Sequence, residues 1–262
     1  MEPQEYSYIK REILNLVGVD LDAYKSQQMQ RRLGTYLLRS GHTTWPSFFR
    51  SIRDDTEARR KLKDYLTINV SAFFRDPEKY KYLAEKILPE LLQGRPSLRV
   101  WSAGCSQGQE PYTLAMLLAG LTDPLRSHYI LATDLDQSAL ERAQAGGPYT
   151  AEEVANVPPP LLARYFAPVR NGYQIKKELQ RNITFRQHNL LSDSFENRFD
   201  LIVCRNVVIY FTSEIKDQLY RKFYDSLRPG GVLFVGGTEI VSKASEIGFE
   251  TAGISCYRRR VA

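Results

Sequence analysis

The stretch Val100-Trp101-Ser102-Ala103-Gly104-Cys105-Ser106-Gln107-Gly108-Gln109-Glu110-Pro111-Tyr112 carries more chemistry than any other part of the chain. An apolar strand, Leu98 to Trp101, runs into a loop of small residues. A helix is predicted to open at Pro111 and to continue through Leu114, Ala115, Leu117 and Leu118. Strand, glycine loop and helix in that order make the nucleotide-binding opening of a doubly wound sheet. A dinucleotide loop presents bare N–H groups to a pyrophosphate at the helix N-terminus. Here the carboxylate of Glu110 stands at that place, where it repels phosphate and attracts an ammonium group. S-adenosylmethionine carries an amino group and a sulfonium and has no phosphate, so the loop, Gly104 included, reads as a site for that cofactor.

Further candidates stand at the ends of later strands. Asp134 follows a strand over 129–133, and a carboxylate there can accept both ribose hydroxyls. It can also cap the next helix, although Asp136 could meet that need. A third strand, 183–188, ends at Asn189-Leu190, a polar and an apolar side chain suited to the edge and face of adenine; Leu190 suits the core equally well. A fourth, 201–204, ends at Arg205-Asn206, with Tyr210 just beyond. Polar groups at the carboxyl ends of such strands line the ligand crevice. Tyr210 either packs as an aromatic or presents its hydroxyl to the reaction centre. Cys105 has no histidine placed to activate it and reads as a small packing residue.

The elements that must hold these groups fall in two regions. Up to about Leu66 there is no strand patterning. Ile9, Ile13, Leu14, Leu16 and Val17 recur at helical spacing, and Gly18 ends that helix. Leu33, Tyr36, Leu37 and Leu38 mark a second helix, closed by Gly41; Thr44 caps a third, and 56–66 forms a fourth. Lys25, Arg31, Arg32 and Arg39 lie along the second helical stretch, as a solvated face or as a docking surface. The segment Asn69-Val70-Ser71-Ala72-Phe73-Phe74-Arg75-Asp76-Pro77 has no helical apolar face and two adjacent aromatics, and reads as a linker that touches something. A connecting helix over 77–92 follows. From Leu98 strands and helices alternate, which predicts an α/β sheet with further strands near 231–236 and 256–259, the former after the turn Arg228-Pro229-Gly230-Gly231. The turn Asn171-Gly172 before Tyr173-Gln174-Ile175-Lys176 predicts a small antiparallel insertion.

With 262 residues and 43% apolar content the chain can build one large domain or one domain and a smaller one. No apolar run approaches a membrane span, no secretory leader is visible at Met1-Glu2-Pro3, and a reducing cytosol is expected. Cys105, Cys204 and Cys256 offer neither a disulfide framework nor a zinc pattern, so no metal is expected. The formal charge of +6 suggests an acidic partner.

Together these motifs resemble the CheR-type chemotaxis receptor methyltransferases, a family of protein-glutamate O-methyltransferases. The matching segments are 67–75, 100–112, 132–136, 189–191, 199–211 and 229–239. The resemblance implies an all-helical N-terminal domain over 1–76 and a Rossmann-like methyltransferase domain over 77–262, with a small antiparallel β-subdomain at about 167–181. It implies cofactor contacts from Asn69, Ser71, Arg75, Glu110, Asp134, Asn189, Leu190, Arg205 and Asn206, with Arg75 and Tyr210 close to the transferred methyl. Gln109 stands where the family usually has the first of two glutamates, and Ser71 replaces the commoner threonine. The implied substrates are glutamates on the cytoplasmic methylation helices of chemoreceptors; against such acidic helices the basic Arg31 and Arg32 are expected to steer docking. The inserted hairpin looks shorter than in members that grip a receptor's C-terminal pentapeptide, so no such tether is expected. A cytoplasmic monomer that neither binds nucleic acid nor inserts into membrane is the resulting expectation.

Two rival readings differ in class. A nucleic-acid methyltransferase fits the basic charge, but amino-methylating enzymes of that kind place Asn/Asp-Pro-Pro-Tyr/Phe after the fourth strand, and here Asn206 is followed by Val207-Val208. No aromatic and basic platform for single strands is evident either. A non-catalytic cofactor-sensing module is the second rival, and Arg75 and Tyr210 argue against it.

Overall fold

Apolar residues at helical spacing dominate the first sixty-odd positions. In the computed structural model, which describes residues 1–67, 69, 71–122 and 127–261, they form α1 (Pro3–Val17), α2 (Ser26–Arg39), α3 (Trp45–Ile52) and α4 (Thr56–Leu66). Gly18, in left-handed conformation, ends α1 as expected, and Thr44 accepts the Ser47 N–H to start α3. Asp55 caps α4 through Ala58. Ile9, Ile13, Leu33, Phe49, Ile52 and Leu62 fill the interior of this unit, and Trp45 stacks on Phe49. Only Met29 and Leu33 of α2 are buried; Leu38, read as part of its apolar face, is 83% exposed.

The chain divides at Ile68/Asn69 rather than at residue 76, and Tyr210–Lys216 belong to the helical unit. Two observations explain the shift. Phe73 and Phe74, in the expected linker, are both buried in the core of the α/β unit, Phe73 edge-on to Tyr149 and Phe166. Residues 210–216 are tied to the helical unit by main-chain bonds from Lys25 N–H to the Tyr210 carbonyl (2.9 Å) and from Thr212 N–H to the Ala23 carbonyl (3.0 Å). Val70, within the expected linker, lies outside the described residues.

The α/β unit begins with α5 (Pro77–Tyr82) and α6 (Leu88–Leu92), joined by a π turn over Leu83–Ile87. Pro89 has no N–H to give the carbonyl four residues back, and the helix widens just before it. Then come β1 (Arg99–Ala103), α7 (Gln109–Leu121), β2 (Tyr129–Asp134), α8 (Gln137–Ala145) and α9 (Pro159–Tyr165). A separate antiparallel pair, β3 (Phe166–Val169) and β4 (Gly172–Ile175), forms the expected insertion; its tight turn is Arg170-Asn171, one residue earlier than read. The remainder is α10 (Lys177–Gln180), β5 (Ile183–Gln187), β6 (Phe199–Cys204), α11 (Ser213–Ser226), β7 (Leu227–Val235), α12 (Ala244–Ile247), β8 (Phe249–Thr251) and β9 (Cys256–Arg259).

The main sheet has the order β5-β2-β1-β6-β7-β9-β8. Its first five strands are parallel, and β9 runs antiparallel to both neighbours. The chain reverses its direction of travel between β1 and β6. That switch point is where a doubly wound sheet opens a crevice at the carboxyl ends of its strands. Full burial of β6 on both faces follows from helices packing on either side of a parallel sheet.

Candidate functional site

The loop after β1 is drawn onto β2: the N–H groups of Gly104 and Cys105 both donate to the Thr133 carbonyl, at 2.8 and 2.9 Å. Gly104 has φ 85°, and a Cβ there would strike the Val207 side chain. Gly108, also left-handed at φ 95°, caps α7, which therefore opens at Gln109, two residues earlier than predicted. Glu110 becomes the second residue of the helix. The positive end of the helix dipole favours its carboxylate there, and the carboxylate takes the position a phosphate would need. Ser102 Oγ donates to Glu110 Oε1 at 2.7 Å. Burial pushes the Glu110 carboxyl up to about 7; the Arg205 charge, the Ser102 hydroxyl and Arg75 oppose that rise, and Glu239 adds to it. A cation placed against Glu110 would favour its ionised form.

Asp134 is not the cap of α8. That role belongs to Asp136, whose Oδ1 accepts the Ala139 N–H at 3.1 Å. Asp134 instead accepts backbone N–H groups at both oxygens, from Ser106 (2.7 Å) and Asp136 (2.9 Å), so it braces the loop of β1 against the end of β2. Burial raises its carboxyl to about 6 against those two bonds. Asn69 joins the same cluster, donating from Nδ2 to Asp136 Oδ2 and accepting from Ser106 Oγ at 3.0 Å. Ser71 is half-buried on the same segment, and Phe74 N–H donates to Thr113 Oγ1 at 3.2 Å.

Arg205 is 6% exposed and lies over the rings of Tyr80 and Phe234, 5.0 Å from each centroid. Its guanidinium donates to the Arg75 carbonyl (2.9 Å) and to Asp76 Oδ2 (2.6 Å). It therefore fastens the segment that carries Arg75 to the end of β6. Asn206 has φ 58°, and its side-chain Oδ1 is buried with no hydrogen-bond partner among the described residues. At the end of β5, Asn189 spends its own Oδ1 on the Leu191 N–H (3.0 Å), and Leu190 is 8% exposed with its carbonyl held by Lys222 Nζ (2.9 Å). Cys105 is buried, with its thiol pushed well above the ordinary range, which leaves it a packing residue. Four left-handed non-glycine residues, Phe74, Asp76, Ser106 and Asn206, fall on these loops. Backbone conformations of that kind persist where the surroundings over-determine them.

Three remaining candidates belong to the helical unit. Tyr210 gives its carbonyl to Lys25, as above. Arg31 is exposed on α2. Arg32 is committed: its guanidinium stacks on Tyr65 at 4.8 Å and donates to the Tyr65 carbonyl, while Tyr65 Oη donates back to the Arg32 carbonyl at 3.0 Å.

The sequence reading did not single out Ser102, Asp76 or Glu239. Glu239 Oε2 accepts the N–H of Asn206 (2.8 Å) and of Gly236 (2.6 Å). Its signal was a carboxylate just after a glycine pair at the carboxyl end of a strand. Gln109 donates to Glu153 Oε1 at 2.8 Å, and Glu153 also accepts from Arg142 (2.8 Å), so a glutamate at 109 would face a carboxylate here.

A largely buried loop, an ionisable acid at a helix N-terminus and an orphaned amide oxygen make an acceptor-rich set at the carboxyl ends of β1 and β6. Such a set fits a ligand that presents an ammonium and hydroxyl groups. It does not suit a pyrophosphate, which brings further acceptors and negative charge.

Residues 69–257 match the family model described as the CheR methyltransferase SAM binding domain, and residues 4–67 match the CheR methyltransferase all-alpha domain. The chain is 41% identical over 249 residues to a chemotaxis protein methyltransferase of Listeria innocua, covering 95% of this chain and 94% of the relative. The same identity and coverage hold for a chemotaxis protein methyltransferase of Listeria monocytogenes. A probable chemotaxis protein methyltransferase of Rhizobium etli is 33% identical over 253 residues, covering 92% of this chain and 94% of the relative. The matched domain binds S-adenosylmethionine, which is the cofactor.

Proposed function

Because the chain belongs to the CheR methyltransferase family, we propose that it methylates glutamate side chains on the cytoplasmic helices of chemoreceptors, forming glutamyl methyl esters. The single observation that carries the cofactor half of this reading is Glu110, a raised-pKa carboxyl at the start of α7 in the place a dinucleotide loop keeps for phosphate. The acceptor half rests on the names of the relatives and on residues that match the family's motif.

When bound, the cofactor supplies a methyl group activated on a sulfonium. In our reading Glu110 and Asn206 Oδ1 accept from its amino group, Asp134 from its ribose hydroxyls, and Asn189 and Leu190 hold the adenine. Gly104, Asn69 and Ser71 shape the wall of the same crevice. A glutamate with an ordinary pKa of about 4.3 is ionised at neutral pH, so the acceptor needs no general base. The task left to the chain is alignment of that carboxylate and exclusion of water from it. Arg75 orients the incoming carboxylate, and Arg205 sets Arg75 in place through the carbonyl bond. Tyr210 is assigned near the transferred methyl. One C–O bond forms, one C–S bond breaks, and the receptor loses a negative charge, which changes the electrostatics of its helix packing.

No helix among the described residues is long and apolar enough to cross a membrane. We place the reaction in the cytoplasm, with a monomeric enzyme, no nucleic-acid substrate and no pentapeptide tether. Incubation with methyl-labelled cofactor and a receptor cytoplasmic fragment tests the proposal. Base-labile label that maps by mass to glutamates is expected; label on RNA, or none on protein, contradicts it.

A further inference from the structure

β6 and β7 lie side by side, with Cys204 opposite Val235 at the last paired position. Just beyond, the two strand ends diverge into loops, and one side chain holds both. Glu239 is 6% exposed, and its Oε2 takes the N–H of Asn206 at 2.8 Å and of Gly236 at 2.6 Å. Its own N–H donates to the Gly236 carbonyl at 3.1 Å, closing a tight turn. The carboxylate reaches in only because residue 236 is glycine, since a Cβ there would run into Oε2. Asn206 needs the support: its φ of 58° is left-handed, a region asparagine visits at some cost. Binding the N–H of the strained residue itself fixes that backbone, and with it the direction of the Asn206 side chain, whose Oδ1 stands buried and unpartnered among the described residues. A simple clamp between strands would need neither the strained residue nor the orphaned acceptor beside it.

We propose that Glu239 is a positioning residue for the cofactor site, holding Asn206 so that its amide oxygen faces the bound cofactor. The inference rests on the reading of Asn206 as a cofactor contact and adds to it the group that aims it.

Calorimetry with S-adenosylhomocysteine, alongside melting curves and kinetics, tests it on the full-length protein. Glu239→Ala takes the acceptor from the buried Gly236 N–H and the partly buried Asn206 N–H and should weaken binding about tenfold, raising KM for the cofactor more than it lowers kcat. Glu239→Gln keeps an oxygen for both N–H groups and should recover affinity to within about threefold. Asn206→Ala should weaken binding as well, and the double variant Asn206→Ala/Glu239→Ala should bind no worse than Asn206→Ala alone. If Glu239→Ala lowers the melting temperature but leaves affinity intact while Asn206→Ala weakens it, Glu239 is only a strand clamp and the inference falls, with the site reading intact. If Asn206→Ala leaves affinity unchanged, the contact itself is wrong and the inference goes with it. Additive losses in the double variant also overturn it, since Glu239 would then act by another route. Should Glu239→Ala fail to fold, Glu239→Asp, which draws the carboxylate back by one methylene, takes its place: weakened binding supports the proposal and unchanged binding overturns it.

Discussion

Glu110 is held by one hydroxyl, raised by its burial, and placed where a helix dipole welcomes negative charge. An ammonium group set against it favours its ionised form, so binding must release a proton wherever the free carboxyl still holds one. Affinity for S-adenosylhomocysteine is therefore expected to climb from pH 6 to a plateau above about 7, the value to which the carboxyl is pushed. In Glu110→Gln the change around pH 7 should vanish, leaving only what Asp134, raised to about 6, contributes at the acid end, and the affinity at pH 8 should be lower by about tenfold to a hundredfold, the worth of a charged hydrogen bond. Calorimetry at four pH values decides this. The sign for stability is opposite: an unfolded glutamate ionises near 4.3, the folded one near 7, so between those values the folded form holds the extra proton. Its contribution to stability is present at acid pH and is lost as pH rises through that window. Glu110 was legible because one residue type stood in the wrong place for phosphate. Glu239 was not, because its significance lies in a left-handed backbone 33 positions away, and neither strain nor a strand-end approach is written in spacing.

Among the elements, those built on period and punctuation matched the sequence well. Helix α4 covers the 56–66 expected of it, and Asp55 caps its start. Strand β8, only three residues, carries no alternation to read and exists because β9 offers it an edge. The start of α7 lies two residues before the expected Pro111, because the left-handed Gly108 lets the helix open at Gln109. The aromatic pair Phe73-Phe74 was recognised as touching something, but what it touches is brought there by the fold. Phe73 is fully buried against Tyr149 and Phe166, and its N–H donates to the Glu153 carbonyl. Phe73→Ala should cost about 3 to 5 kcal/mol of stability through the cavity it leaves. Equilibrium urea unfolding checks this; a loss under 1 kcal/mol would mean that the segment does not hold its place by packing.

At the scale of the whole molecule, the formal charge of +6 sets how the chain meets an acidic helix. The two arginines read as steering groups differ in what they are free to do. Arg31 is exposed, whereas Arg32 is stacked on Tyr65 and bonded to its carbonyl. Arg31→Glu is expected to raise KM for a receptor cytoplasmic fragment and to flatten its dependence on salt, with the melting temperature unchanged. Arg32→Glu should lower the melting temperature as well. Equal KM for the Arg31 variant and the parent at low ionic strength would remove α2 from the docking surface. The end of strand-free patterning near residue 66 is legible in the sequence, whereas the boundary expected at 76 lies past the observed one, and the return of 210–216 to the helical unit rests on main-chain bonds that no pattern announces.

Selection of an ammonium-bearing, phosphate-free ligand by the acid at the head of α7 is tested most directly by comparing S-adenosylhomocysteine with its analogue lacking the amino group. Calorimetry on the parent chain should find the analogue weaker by about tenfold or more, a charged hydrogen bond's worth, and Glu110→Gln should bind the two alike. Equal discrimination by parent and variant, or uptake of NADH as tight as that of S-adenosylhomocysteine, would contradict it.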